Sequence, residues 1–171
     1  MKLCTVIGFP LGAEDTATKV FAARQALDQG ASELDMVINI GAVKDKDFDM
    51  VKDEVNSLLE LKQDYDFLLK VIVETALLDT DELVILSQLV SESGADFIKT
   101  STGFSTRGVS LEDIKIIKAH KSEDLKIKAS GGVRSLDYAL QLIDAGVDRI
   151  GSSNAATLVR EYRQRGGLLK G

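Results

Sequence analysis

Apolar and polar positions along this chain follow two alternating periods. Six short runs rich in β-branched and aliphatic residues recur: TVIGF from Thr5, LDMVINI from Leu34, LLKVIVE from Leu68, FIKTS from Phe97, KIKAS from Lys126 and RIGSS from Arg149. They return roughly every thirty residues, the span of one strand–helix unit. Between them the apolar residues move to a helical spacing. The stripes are Val20, Ala23, Ala26 and Leu27; Val51, Val55, Leu58 and Leu59; Leu83, Leu86, Leu89 and Val90; Leu111, Ile114 and Ile117; and Leu136, Leu140 and Ile143. Each follows the i, i+3, i+4 pattern of an amphipathic helix.

The punctuation agrees with this reading. Ser110 precedes Asp113 by three residues, an acidic variant of the capping box, and Ser135 can cap the next helix. Gly30, Gly94 and Gly146 each stand where a helix needs a left-handed residue before the following strand. Strands alternating with helices over short connections predict a parallel sheet with right-handed crossovers. Two architectures fit: an open doubly wound sheet and a (β/α)8 TIM-type barrel. The first strand is followed by GFPLGAED, which is not the dinucleotide fingerprint of the open sheet. A barrel prefers about 250 residues, so 171 residues fall two units short. Counting alone does not choose between them.

The polar residues inside the strands do. Alternation places Phe97, Lys99 and Ser101 on one strand face, sets Lys128 opposite Ile127 and Ala129, and puts Asp35 on a face with Val37 and Asn39. If those faces line a barrel, two amines and a carboxylate converge near the strands' C-terminal ends, where barrel enzymes keep their chemistry. Burial disfavours an ammonium, and a second ammonium nearby pushes the same way. The outcome is a neutral amine able to attack a carbonyl and form a Schiff base. Lys99 is the candidate nucleophile, with Asp35 holding charge and relaying protons. A lone strand-end lysine ordinarily snorkels to solvent, and Lys128 with Asp35 would then be only a structural pair.

A second constellation lies in SGGVRS (130–135) and IGSSN (150–154). Their glycines let backbone N–H groups approach an anion, and a helix starting just beyond points its positive end at it. In barrels the loops after the last two strands commonly bind phosphate. That numbering makes the strands present three to eight.

Composition removes several classes. A net charge of −6 without a Lys/Arg block argues against a nucleic-acid or anionic-membrane surface. The single cysteine, Cys4, cannot form an internal disulfide and suits a reducing cytoplasm; it reads as a small strand hydrophobe. The opening MKLCTVIGFPLGA imitates a short signal peptide but reads equally as a strand ending in a Gly/Pro turn. His120 sits in a charged helix tail, and Glu74 and Thr75 end the third strand in either a lining or a structural role. No His, Cys or carboxylate cluster has metal-ligand spacing, and Schiff-base chemistry needs no metal, so no cofactor is expected.

CTVIGFPLGA, ELDMVINIG, KVIVET, FIKTSTGF, KASGGVR and RIGSS occur in this order, and together they resemble the 2-deoxyribose-5-phosphate aldolases, class I aldolases, over essentially the whole chain. The resemblance implies a (β/α)8 barrel that reversibly cleaves 2-deoxy-D-ribose 5-phosphate to D-glyceraldehyde 3-phosphate and acetaldehyde. It implies that Lys99 is the Schiff-base lysine, Lys128 the lysine that lowers its pKa and Asp35 the proton-relay acid. Thr102, Gly103, Gly131, Gly132, Ser152 and Ser153 match phosphate- and substrate-lining positions. Phe104 stands where some members carry a further lysine, which implies weaker phosphate affinity. The implied partners are a phosphosugar and an aldehyde, with no nucleic acid or membrane, and members often pair as homo-oligomers. There is one departure: the family begins with a helical segment and two strand–helix units, so 1–171 reads as one incomplete barrel domain, strands three to eight. Open edges would then flank a gap, and water entering the interior would relax the shift on Lys99. The alternative is a catalytically impaired truncated barrel that keeps phosphosugar binding or acts only with a partner chain.

Overall fold

The computed structural model describes residues 2–166. In it, β1 (Cys4–Ile7), β2 (Glu33–Val37), β3 (Leu68–Ile72), β4 (Phe97–Lys99), β5 (Lys126–Ser130) and β6 (Arg149–Gly151) form one parallel sheet in chain order. Helices α1 (Thr16–Asp28), α2 (Ile40–Lys44), α3 (Phe48–Leu59), α4 (Thr80–Ser93), α5 (Leu111–His120), α6 (Leu136–Asp144) and α7 (Ala155–Gln164) connect and follow the strands. The sheet curls as part of a barrel, so far that Arg149 of β6 reaches Glu33 of β2 across the concave side. Of the two architectures the pattern allowed, this is the barrel type.

Each strand face has its own chemistry. Ile7, Leu34, Met36, Leu69, Val71, Ile98, Ile127 and Ala129 point to the helices and join Leu27, Val55, Leu58, Leu86, Ile114 and Leu142 in one buried apolar cluster. Each of the Val, Leu, Ile and Met side chains contributes about 1.5–3 kcal/mol when fully buried. The alternate positions Val37, Ile72 and Phe97 are buried on the concave side, outside that cluster, in company with Glu33, Asp35, Lys70 and Lys99. Period two therefore sorts the strands into a dry outer face and a charged inner one.

The caps fall where the sequence places them. Ser110 and Asp113 form a reciprocal capping box on α5, Ser135 accepts from Tyr138 N on α6, and Gly30, Gly94 and Gly146 take positive φ. Three details differ from the expected pattern. The second strand ends at Val37, because Asn39 leaves it to cap α2, accepting from Ala42 N. Helix α6 buries Leu136, Ala139 and Leu142, whereas Ile143 is half exposed and lines a groove of about 610 Å³ against α7. Helix α1 buries a charge: Lys19 lies on the same face as Ala23 and Leu27. Its Nζ donates to the carbonyls of Gly12 and Val37 at 2.8 Å each and to Glu54 Oε1 at 2.5 Å, while Glu54 Oε2 accepts from Asn39 N. Four segments are thereby pinned together beneath the strand ends, and burial pushes the Glu54 carboxyl up.

Among the described residues the outer edges of β1 and β6 carry no strand partner. Also among them, no helix is long and apolar enough to cross a membrane.

Candidate active site

Register explains why distant residues meet. Lys99 pairs across the sheet with Lys128 on β5 and Ile72 on β3, and Asp35 pairs with Lys70. Neighbours in register share a face, so the concave side acquires a carboxylate and three lysines from four successive strands. Lys99 Nζ lies 2.7 Å from Asp35 Oδ2, and Lys128 Nζ lies 2.6 Å from the same oxygen. Lys70 Nζ takes the other one, Oδ1, at 2.8 Å.

The electrostatics follow from this crowding. Burial, the largest effect, together with the charge of Lys128, holds the Lys99 amine below its ordinary value against the opposing pull of Asp35. For Asp35, burial would raise the carboxyl. The Lys99 charge and hydrogen bonds from Lys128, Lys70 and Lys99 outweigh it and keep the group ionised far below the usual carboxylate range. The sequence led us to expect that the open edges would admit water to Lys99, and its burial in the structure differs from that. Lys99 stands on β4, away from both sheet edges, and is only 7% exposed.

Above these groups lies a pocket of about 420 Å³, bounded by Lys99, Lys128 and the loops that follow β4, β5 and β6. All six candidate lining residues, Thr102, Gly103, Gly131, Gly132, Ser152 and Ser153, are on its wall, and Asp35 is buried behind the lysines. Glycine is required at one contact in particular: a Cβ on Gly108 would sit 2.0 Å from Gly131 O, because the two loops pack backbone to backbone. Gly131 itself has φ +78°. Glycine takes that left-handed conformation at no steric cost. Ser152 Oγ donates to Val133 O and accepts from Asn154 N, bracing the turn into α7.

Glu74 and Thr75, left open between lining and structural roles, are structural: neither reaches the pocket wall. Glu74 leaves β3 with φ +52°, and its buried carboxylate accepts from Thr102 N at 3.1 Å and from the Thr102 hydroxyl. Thr102 Oγ1 in turn accepts from Phe104 N, so Glu74 shapes the 102–104 turn from behind. Thr75 is tied to Asp113, which also receives a two-pronged ion pair from Arg107. His120 is an exposed residue at the end of α5, as its surroundings in the sequence suggest.

Several side chains around the candidate site escaped the sequence reading. Lys70 is wholly buried between Asp35 Oδ1 and Glu33 Oε2, and Arg149 pairs with that same Glu33 oxygen at 2.6 Å. Cys4, read as a strand hydrophobe, places its thiol 3.3 Å from Asp35 Oδ1; burial and the Asp35 charge push that thiol up. Arg134 also lines the pocket wall. The signal available was alternation through Glu33 and Asp35 and through Lys70, which shows up only once the register between β2 and β3 is known. Among the described residues no group of three or more His, Cys, Asp or Glu could hold a metal ion.

This arrangement has clear relatives. Residues 2–156 match the model of the DeoC/LacD family aldolase. The deoxyribose-phosphate aldolase of Clostridioides difficile (strain 630) is 49% identical over 160 residues, spanning 94% of this chain and 72% of that protein. Among solved structures, an aldolase designated QR15 superposes with a TM-score of 0.91 at 43% identity, covering 97% of this chain and 74% of that one. A tetrameric deoxyribose phosphate aldolase from Aeropyrum pernix superposes with a TM-score of 0.87 at 34% identity, covering 96% and 69%. With a lysine–carboxylate centre under a glycine-walled pocket, and with these matches over nearly its whole length, the chain belongs to the DeoC/LacD family of aldolases.

Proposed function

We propose that this chain acts on 2-deoxy-D-ribose 5-phosphate as a class I aldolase, with Lys99 as its Schiff-base residue. The observation that carries this reading is the sharing of one Asp35 oxygen by Lys99 and Lys128, at 2.7 and 2.6 Å, on the floor of the pocket. Two ammonium groups at one atom oppose each other, and burial further disfavours the charge on Lys99. The free amine adds to the C1 aldehyde of the open-chain sugar, and loss of water gives an iminium. The iminium withdraws electrons from the C2–C3 bond. As the C3 hydroxyl gives up its proton, that bond breaks, and glyceraldehyde 3-phosphate departs. The enamine left on Lys99 is protonated at C2, and water then releases acetaldehyde. In this reading Asp35 and Lys128 move these protons. The phosphate is assigned to the N–H groups of Gly131 and Gly132 after β5 and of Ser152 and Ser153 just before α7, with Arg134 supplying positive charge from the rim.

Incubation with acetaldehyde and borohydride, followed by peptide mass spectrometry, tests the reading. The expected product is an ethyl group on Lys99, absent from the Lys99→Met variant. Modification elsewhere, or none, refutes it; phosphate protection of the loop amides without an adduct would indicate a binding protein. The same reading extends to a cytoplasmic location, suited to a phosphorylated substrate and one unpaired cysteine, and to association of copies. The Aeropyrum relative is tetrameric. In this chain Val6, Ile143 and Val159 are exposed apolar side chains toward the two ends of the sheet.

A further inference from the structure

Lys70 has no place in the steps above, yet it is among the most deeply buried side chains of the molecule. It does not reach the pocket wall. Its Nζ lies 2.8 Å from Asp35 Oδ1 and 2.7 Å from Glu33 Oε2, and it donates to Cys4 Sγ at 3.6 Å. Arg149 pairs with that same Glu33 oxygen at 2.6 Å, and Lys2 lies 3.9 Å from the other one. A buried, fully paired lysine of this kind is costly to desolvate, and removing either partner would leave an uncompensated charge. Its effect on the site is geometric. With Oδ1 occupied, one oxygen of Asp35 remains for two lysines.

We propose that Lys70 is a positioning residue for the Lys99 centre: by holding Asp35 Oδ1, it confines Lys99 and Lys128 to the single oxygen Oδ2. Glu33 and Arg149 anchor Lys70 in that place. Without Lys70, Asp35 could give each lysine an oxygen of its own, and Lys99 would keep its proton to higher pH. Without Glu33, Lys70 would keep Asp35 as its one carboxylate partner and hold it more tightly, and Lys99 would lose its proton at lower pH. The charged groups facing Lys99 are Asp35 from β2 and Lys128 from β5, with Lys70 on β3 and Cys4 on β1 acting through Asp35. The inference deepens the aldolase reading and rests on Lys99 being the nucleophile there, but its test does not depend on turnover.

The experiment is competitive trace acetylation of the intact protein across pH, with the Lys99 peptide quantified by mass spectrometry, for wild type, Lys70→Met and Glu33→Gln. The Lys99 midpoint should move alkaline by about one pH unit in K70M, a roughly tenfold loss of free amine at neutral pH. It should move acid in E33Q. Opposite directions are the signature, because simple loosening of the interior would move both variants the same way. Midpoints within 0.2 pH unit of wild type (on the order of experimental scatter, and a small free-energy change), or two shifts of one sign, overturn the assignment. If K70M does not fold, E33Q decides alone: an acid shift supports the proposal, and an alkaline or absent shift overturns it. Borohydride trapping with acetaldehyde on the same samples separates the two claims. A wild type whose Lys99 acetylates as described but forms no adduct sinks the aldolase reading and leaves the role of Lys70 standing.

Discussion

Asp35→Asn removes one charge and no volume. The carboxylate it replaces sits within 2.8 Å of three lysine nitrogens. At that contact the Lys99 and Asp35 charge centres lie roughly 4 Å apart, and an effective dielectric near 20 makes their attraction about 4 kcal/mol. Asp35 pulls Lys99 toward its charged form, so losing it lowers the amine further. The variant should therefore separate two steps. Schiff-base formation with acetaldehyde, trapped by borohydride, should persist and begin at lower pH than in wild type. Cleavage of deoxyribose 5-phosphate, followed by a coupled assay for glyceraldehyde 3-phosphate, should fall by about 10²–10⁴, the contribution of a positioned proton donor and acceptor. Urea denaturation should show a loss of about 3 kcal/mol, toward the low end for a broken buried pair because Lys99 can discharge. Turnover within a few-fold of wild type would refute the relay, and an alkaline shift in trapping would refute the electrostatics.

Two further substitutions probe the frame that holds the site. Lys19→Met strands Glu54 and the carbonyls of Gly12 and Val37 in a fully buried position, and denaturation should register a loss of about 3–5 kcal/mol at pH 7. Burial already raises the Glu54 carboxyl. Stability linked to its neutral form is present below the unfolded value of 4.5 and lost as pH rises through the folded one, so the penalty should shrink near pH 4. Glu82 binds Lys44 at 2.6 Å and Lys46 at 2.8 Å while closing the capping box of α4; despite its burial, these partners hold its carboxyl at about 2. Glu82→Gln should cost about 1–2 kcal/mol, since both lysines are solvent-exposed and screened. Here the folded value is depressed. The contribution is therefore full above pH 4.5 and lost as pH falls toward 2, where variant and wild type should melt together.

The amino-acid sequence by itself determined the alternation of six strands with helices, because a period of two and a period of 3.6 are local properties of the chain. It determined the caps at Ser110 and Ser135 and the left-handed turns at Gly30, Gly94 and Gly146 for the same reason: each needs only its neighbours. It also placed Lys99, Lys128 and Asp35 on faces that would meet if the sheet curled. Tertiary structure alone decided what those side chains touch. Strand register brings Lys70 beside Asp35, and the curl carries Arg149 to Glu33, 116 residues away. Neither partner can be read from a window of sequence. The same holds for Lys19, which shares a helix face with Ala23 and Leu27 but whose partners, Glu54 and the carbonyls of Gly12 and Val37, come from other segments. Charges are buried where partners from distant segments compensate for lost water, and that compensation exists only once the chain has folded.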